Sequence, residues 1–270
     1  MKENQRYALV TGGTSGIGYE LAKLLAKDGY DLILVSRNQQ DLDRVSKELT
    51  QQFNVDVISK VKDLFDVDNA FDLFQELKAD NLNIEILINN AGQGQYGEFI
   101  DTDIRRELDI INLNISSLVV LTKLFLKDMV NVGRGRIMNL SSIASKTPGP
   151  WQSVYHGTKA FVQSFTEAIR SETKELGVTV TALLPGATDT DFFNKAGMLS
   201  SKIVVEGELD DVVKVARDGY KALMNGDDMV VSGGKNKLQV AMSNVTPDSA
   251  LADKMKKMQA PVGADKKGNI

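Results

Sequence analysis

Residues 7–29 read YALVTGGTSGIGYELAKLLAKDG, and the fold turns on how this run is parsed. YALVTG (7–12) is short, apolar and closed by glycine, which reads as a buried strand. IGYELAKLLAKDG (17–29) carries apolar residues at helical spacing and stops at a glycine, as helices tend to. Between them lies TGGTSGIG (11–18), a glycine-rich junction from strand to helix. Glycines there let the backbone turn sharply and come close to a phosphate with no Cβ in the way. The N–H groups opening the helix then favour an anion. The spacing of Gly12, Gly16 and Gly18 matches neither GxGxxG nor a P-loop. A purely structural turn would also use glycines, but this one stands at the first strand–helix junction.

The same alternation continues along the chain. Strands are expected at 31–36 (DLILVS), DVISKV, IEILINNAG, RGRIMNLSS, VTVTALLPG and DMVVSGG. Helices are expected at 38–52, over VDNAFDLFQELK, at about 103–130, at about 153–176 and near 208–225. Near-wholly apolar strands alternating with helices predict an α/β fold: a single Rossmann-type, doubly wound parallel sheet with helices on both faces. No linker divides it, so 1–235 reads as one nucleotide-binding and catalytic domain. Residues 236–270 read as a helical tail on the same domain or on a partner subunit, with Met242, Met255 and Met258 on apolar stripes. The segment 188–207 reads as a lid.

Composition narrows the chemistry. The net charge of −4 offers no basic field for nucleic acid. There is no cysteine and a single histidine, His156, so thiolate chemistry, a histidine metal site and a Ser-His-Asp triad are all disfavoured, and no metal is expected. No apolar run approaches membrane-spanning length and no signal-like segment opens the chain, so the expectation is a cytoplasmic protein without membrane insertion.

The end of the second strand bears on which nucleotide is held. An Asp or Glu there would bond a ribose 2′-hydroxyl; this chain has Ser36 and Arg37. A guanidinium suits a 2′-phosphate, so the cofactor expected is NADP(H), although Arg37 also fits a plain surface arginine. Asp63 and Leu64 end the third strand, where a carboxylate could accept from an adenine amino group or simply cap a helix. Asn90, Ala91 and Gly92 end the fourth, with small side chains against which a cofactor could lie.

TGGTSGIG, NNAG, Asn114 in LNISS, the Ser141-Ser142 pair, YHGTK (155–159) and LLPGATDT (183–190) together resemble the short-chain dehydrogenase/reductase family, and most closely its NADP-preferring bacterial oxidoreductases. The likeness runs from about residue 5 to residue 235, in family order. It implies a catalytic set of Asn114, Ser142, Tyr155 and Lys159, Ser142 being chosen because the family serine precedes the tyrosine by thirteen positions. It also implies cofactor contacts from Gly12, Thr14, Ser15, Gly16, Ile17 and Gly18 at the first turn. Further contacts would come from Tyr155, Lys159, Pro185, Gly186, Thr188 and Thr190 at the nicotinamide end. Gly13 stands where some NADP users of the family have a basic residue, which leaves the phosphate to Arg37.

On a helix, Tyr155 and Lys159 at i and i+4 share a face. A nearby ammonium is expected to lower the phenol's pKa, Ser142 to bond the substrate oxygen, and Asn114 to hold a relay water or, alternatively, backbone. His156 is read as a bystander; Trp151, Phe192 and Phe193 form either an apolar wall or packing. The expected partners are a small carbonyl or alcohol substrate and further copies of the chain, as dimer or tetramer. Two non-catalytic readings stay open: an NADP(H)-binding redox sensor and a structural subunit.

Overall fold

In the computed structural model, which describes residues 6–263, the apolar runs lie side by side in one sheet. They are β1 (Tyr7–Thr11), β2 (Asp31–Ser36), β3 (Val57–Val61), β4 (Ile84–Asn89), β5 (Gly135–Leu140), β6 (Val178–Leu184) and β7 (Met229–Val231). Their order is β3-β2-β1-β4-β5-β6-β7, with every pairing parallel. The winding reverses between β1 and β4, and such a switch point opens a crevice at the strands' carboxyl ends.

The helices are α1 (Gly16–Lys27), α2 (Gln39–Phe53), α3 (Asp68–Ala79), α4 (Ile104–Ile111), α5 (Ser117–Val132) and α6 (Ser153–Thr173). They continue with the short α7 (Phe192–Lys195) and α8 (Lys202–Val205), then α9 (Val212–Asn225), α10 (Gly234–Ser243) and α11 (Asp248–Gln259). On one face of the sheet Leu21, Leu25, Leu42, Leu49 and Leu223 pack on Val10, Leu34 and Ile88. On the other, Leu73, Leu77, Leu121 and Phe125 pack on Leu9, Ile33 and Leu87. Alternate residues of one strand thus enter opposite cores, which is why the strands read as continuous apolar runs.

Three boundaries differ from the sequence reading. The helix expected over 103–130 is α4 and α5 joined by a π-helical turn, Asn112–Ser116. That wider turn holds Asn114 inward at 1% exposure, where its amide is hydrogen-bonded. The helix expected to 176 ends as α-helix at Thr173 and closes with a tighter turn, Lys174–Leu176. The helix expected from 208 starts at Val212, because the Asp211 carboxylate caps it by accepting from Val213 N at 2.9 Å. By length and composition the helical segment Ile104–Val132 could cross a membrane; here Leu118, Leu121, Phe125 and Met129 bury one side of it in the protein.

Both tail segments are helical, as α10 and α11, and they pack on the same chain: Lys202 N donates to Ala260 O and Val262 N to Ser200 O. Residues 1–5 and 264–270 of the two expected spans lie outside the described residues.

At the switch point, β1 and β4 are stitched together beyond their ladder. Thr11 Oγ1 accepts from the backbone N of both Asn90 and Ala91 at 3.0 Å. Asn90 Nδ2 donates back to Thr11 O at 2.9 Å and Gly12 O at 3.0 Å. α1 can come this close only because residue 18 is glycine: a Cβ there would sit 2.3 Å from Asn90 Nδ2 and 2.4 Å from Gly12 O. Gly18→Ala should therefore cost about 2–3 kcal/mol of stability by overpacking, read from the urea unfolding midpoint; an unchanged midpoint would show that the two elements separate freely.

Candidate active site

A cavity of about 950 Å³ runs along the carboxyl ends of the central strands. That is the upper end of what one small-ligand site occupies, with room for a dinucleotide's reactive end and a substrate side by side. Of the residues singled out in the sequence, all the cofactor candidates except Gly18 line it, as do Ser142, Tyr155 and Lys159. Gly18 and Asn114 stand behind the wall and shape it.

At the glycine-rich end, Gly12 (φ 65) and Gly16 (φ 57) occupy the left-handed region that a turn of this sharpness requires. A Cβ on Gly16 would lie 3.1 Å from Thr190 Cγ2, closing the gap between the turn and the loop after β6. The N-cap residue of α1, Ser15, makes no side-chain capping bond, and no acidic residue stands in the first turn. The helix N-terminus is thus left open to an anion, which fits a pyrophosphate. Thr14 Oγ1 donates to Ser36 Oγ at 3.3 Å, joining the turn to the end of β2.

Arg37 is half exposed there, its guanidinium 4.8 Å above the Phe65 ring. It lies 3.9 Å from Asp63, a loose pair in water that leaves it available to a stronger anion. The Asp63 carboxylate accepts from Phe65 N at 3.2 Å, so it braces its own turn. Leu64 is buried, and its carbonyl accepts from Ser117 Oγ at 2.7 Å.

At the other end the serine pair divides its labour. Ser141 Oγ donates to Lys159 O at 2.9 Å and holds α6 against β5. Ser142 Oγ accepts from Ala144 N at 3.1 Å and reaches Pro185 O only at 3.4 Å, so its hydrogen is weakly held. Tyr155 and Lys159 sit one turn apart on α6, the ammonium 5.7 Å from the phenol ring centre. Asn114 Oδ1 accepts from Gln93 N at 3.0 Å, and its amide N donates to Gln93 O at 2.9 Å and Thr158 Oγ1 at 3.0 Å. Both its donors are spent on protein, so it holds the loop after β4 against the residue preceding Lys159.

The expected lowering of the tyrosine's pKa is not what the structure shows. Burial pushes the Tyr155 phenol up to about 12, with Ser142 pulling the other way. Burial also pushes the Lys159 ammonium down, from 10.5 to about 8. Loss of water governs both groups, opposed only by the Ser142 hydrogen bond to Tyr155. Lys159 Nζ is turned to Leu140 O, 2.8 Å away.

Of the flanking aromatics, Phe192 is wall, its ring 5.0 Å from that of Tyr155. Phe193 also touches the cavity but is buried in a small cluster with Ala196 and Met198. Trp151 is packing, stacked on Tyr96 at 5.6 Å. His156 is no bystander: it is buried and ties α6 to the tail, Nδ1 lying 2.8 Å from Thr147 O and Nε2 3.0 Å from Gln259 Nε2. The sequence reading missed Gln152 and Gln259, and missed that Met255 and Met258 of the tail face the cavity. The methionine stripe was visible in the sequence, but nothing local says which surface it meets. No cluster of three or more His, Asp or Glu side chains suited to a metal occurs among the described residues.

The Lys159 shift has a measurable consequence. A lysine whose folded pKa lies near 8 destabilises the fold fully below pH 8; the cost fades as pH climbs towards 10.5, where the unfolded chain also loses its proton. A gap of that size corresponds to about 3 kcal/mol. Lys159→Met should therefore raise stability at pH 7 by up to ~3 kcal/mol, with the gain vanishing by pH 10.5. Denaturant melts across that range check it, and a methionine variant less stable at pH 7 would reject it.

Residues 6–198 match the family model for short chain dehydrogenases. The very-long-chain 3-oxoacyl-CoA reductase of Bos taurus is 37% identical over 188 residues, a match covering 66% of this chain and 58% of that protein's length. Among solved structures, a short-chain dehydrogenase from Sphingobium yanoikuyae in complex with NADPH superposes with a TM-score of 0.80 at 28% identity, covering 89% of this chain and 94% of that one. A putative NAD(P)-dependent gluconate 5-dehydrogenase from Beutenbergia cavernae with bound NADP gives 0.75 at 25%, over 87% and 98%. With the parallel sheet, the glycine turn at its switch point and YHGTK on the helix beside it, these matches place the chain in the short-chain dehydrogenase/reductase family of oxidoreductases.

Proposed function

We propose that this protein is an NADP(H)-dependent oxidoreductase interconverting a ketone and a secondary alcohol. The observation that carries the reading is a single cavity with an open helix N-terminus and Arg37 at one end and Ser142, Tyr155 and Lys159 at the other. NADPH and NADP in the two related structures support the choice of cofactor.

The nicotinamide, when bound, supplies or takes up the hydride. Arg37 with Ser36 receives the 2′-phosphate, with no carboxylate at the end of β2 to oppose it. Tyr155, kept protonated by its burial, holds the proton that the developing alkoxide needs. Ser142 turns its hydroxyl from Pro185 O towards the same oxygen, stabilising charge as it grows. Lys159 binds the nicotinamide ribose and returns a proton towards Tyr155. Asn114 acts as a positioning residue, fixing Gln93 and Thr158 on either side of that relay. Phe192, Met255 and Met258 give the substrate side an apolar wall, which suits a neutral, partly hydrophobic ketone.

The chain spans 58% of the length of the curated relatives first matched, whose names describe reduction of 3-oxoacyl-CoA. An activated, β-substituted ketone is accordingly the first class to assay. Oxidation of NADPH and NADH over a carbonyl panel should show turnover with NADPH. Tyr155→Phe should lower kcat by about 10²–10⁴-fold while nucleotide still binds. Arg37→Ala should raise KM for NADPH about tenfold or more with little change for NADH. Unaltered turnover in the phenylalanine variant would sink the assignment of the acid.

Self-association is proposed from the outer faces of α4 and α6, where Ile104, Leu108 and Phe161 are 59%, 53% and 42% exposed. Light scattering at micromolar concentration should give a multiple of 29.6 kDa, and a monomer mass would reject it.

A further inference from the structure

Among the described residues, only two side chains lining the cavity carry a buried polar atom with no hydrogen-bond partner: Gln152, through Nε2, and Gln259, through Oε1. Their residues are 5% and 2% exposed. A buried amide group left unpaired costs about 1–3 kcal/mol, so two such groups at one cavity point to a ligand that pairs them.

The orientation of the Gln259 amide follows from its neighbours. Thr147 O can only accept, so the His156 nitrogen 2.8 Å from it, Nδ1, carries the hydrogen. Burial keeps the ring neutral, so Nε2 is an acceptor. The Gln259 amide must then turn its NH₂ to the imidazole, 3.0 Å away, which leaves Oε1 unpaired. The residue's own carbonyl accepts from Tyr96 OH at 2.6 Å, anchoring the end of α11. Gln152 precedes α6, with its backbone N bonded to Gly149 O at 2.9 Å and its carbonyl accepting from His156 N at 3.0 Å. Its free NH₂ lies beside Gly94: a Cβ added there would be 3.2 Å from Gln152 Nε2, 3.4 Å from Tyr155 Cδ2 and 3.0 Å from Phe192 Cζ. The unpaired donor therefore shares a corner of the cavity with the phenol ring of Tyr155.

We propose that Gln152 and Gln259 are a substrate-recognising pair for a neutral group that both accepts and donates a hydrogen bond, an amide or a hydroxyl, carried close to the reacting carbonyl. This rests on the oxidoreductase reading above and adds a substrate class to it. Gln152 gives a hydrogen to the group's oxygen, and Gln259 takes one from its N–H or O–H. Charged groups fit worse: a carboxylate would face the Gln259 oxygen, and an ammonium would face the Gln152 NH₂.

The test compares 3-oxobutanamide with 4-methylpentan-2-one, which puts an isopropyl group of the same shape where the amide was. The readout is the ratio of their kcat/KM values in wild type, Gln152→Met and Gln259→Met. Each variant should lower that ratio about 10- to 100-fold. The melting temperature of Gln152→Met without nucleotide should be unchanged or higher, because an unpaired donor has been removed. A ratio that stays within about twofold in both variants overturns the pair alone. A Gln152→Met protein that melts lower or does not fold shows the amide serving the structure, and also overturns the pair. Wild type that turns over neither ketone with either nucleotide overturns the oxidoreductase reading and the pair with it.

Discussion

The close approach of α1 to the end of β4, with only Gly18 between them, is the constraint on which the rest of the structure depends. Asn90 reaches across to the carbonyls of Thr11 and Gly12 while Thr11 bonds back to the chain after β4. The arrangement does two things at once. It holds the strand ends together where the winding reverses, beyond the last ladder pair of β1 and β4, Val10 with Ile88. It also sets the glycine turn beside Ala91 and Gly92, so that one crevice serves both halves of a dinucleotide.

Burial governs the chemistry at the other end. Tyr155 and Lys159 are each displaced from their ordinary pKa towards the neutral form, because the wall that excludes water removes the solvent that would stabilise either charge. A neutral phenol is the form that donates a proton, so the phenol's shift suits reduction. The lysine's shift is a stability cost carried within the site, and Leu140 O offsets only part of it. Beside this pair Ser141, Asn114 and Thr158 spend their hydrogen bonds on backbone and on each other, and Gln152 Nε2 is the donor left without a partner among the described residues there.

The tail completes the cavity. α11 brings Met255, Met258 and Gln259 to the cavity, and His156, next in sequence to Tyr155, secures it. A short-chain dehydrogenase core, matched over residues 6–198, is thereby closed by a segment beyond the match. In the proposed recognition pair, substrate selection would draw on residues some hundred positions apart, Gln152 and Gln259.

Much of this was legible in the sequence. The apolar strand runs, the glycine turn and the i, i+4 spacing of Tyr155 and Lys159 are local patterns, and local patterns follow from backbone sterics and from burial on two faces. They carried the parallel sheet, its switch-point crevice and the grouping of Ser142, Tyr155 and Lys159 around one cavity. The π-turn that draws Asn114 inward, the displacement of both titratable groups towards neutrality, and the placing of Gln152 and Gln259 on one cavity were decided by the tertiary structure alone. Each depends on what packs against a residue from far along the chain. Desolvation and hydrogen-bond pairing are properties of a surrounding that the neighbouring residues in sequence do not specify.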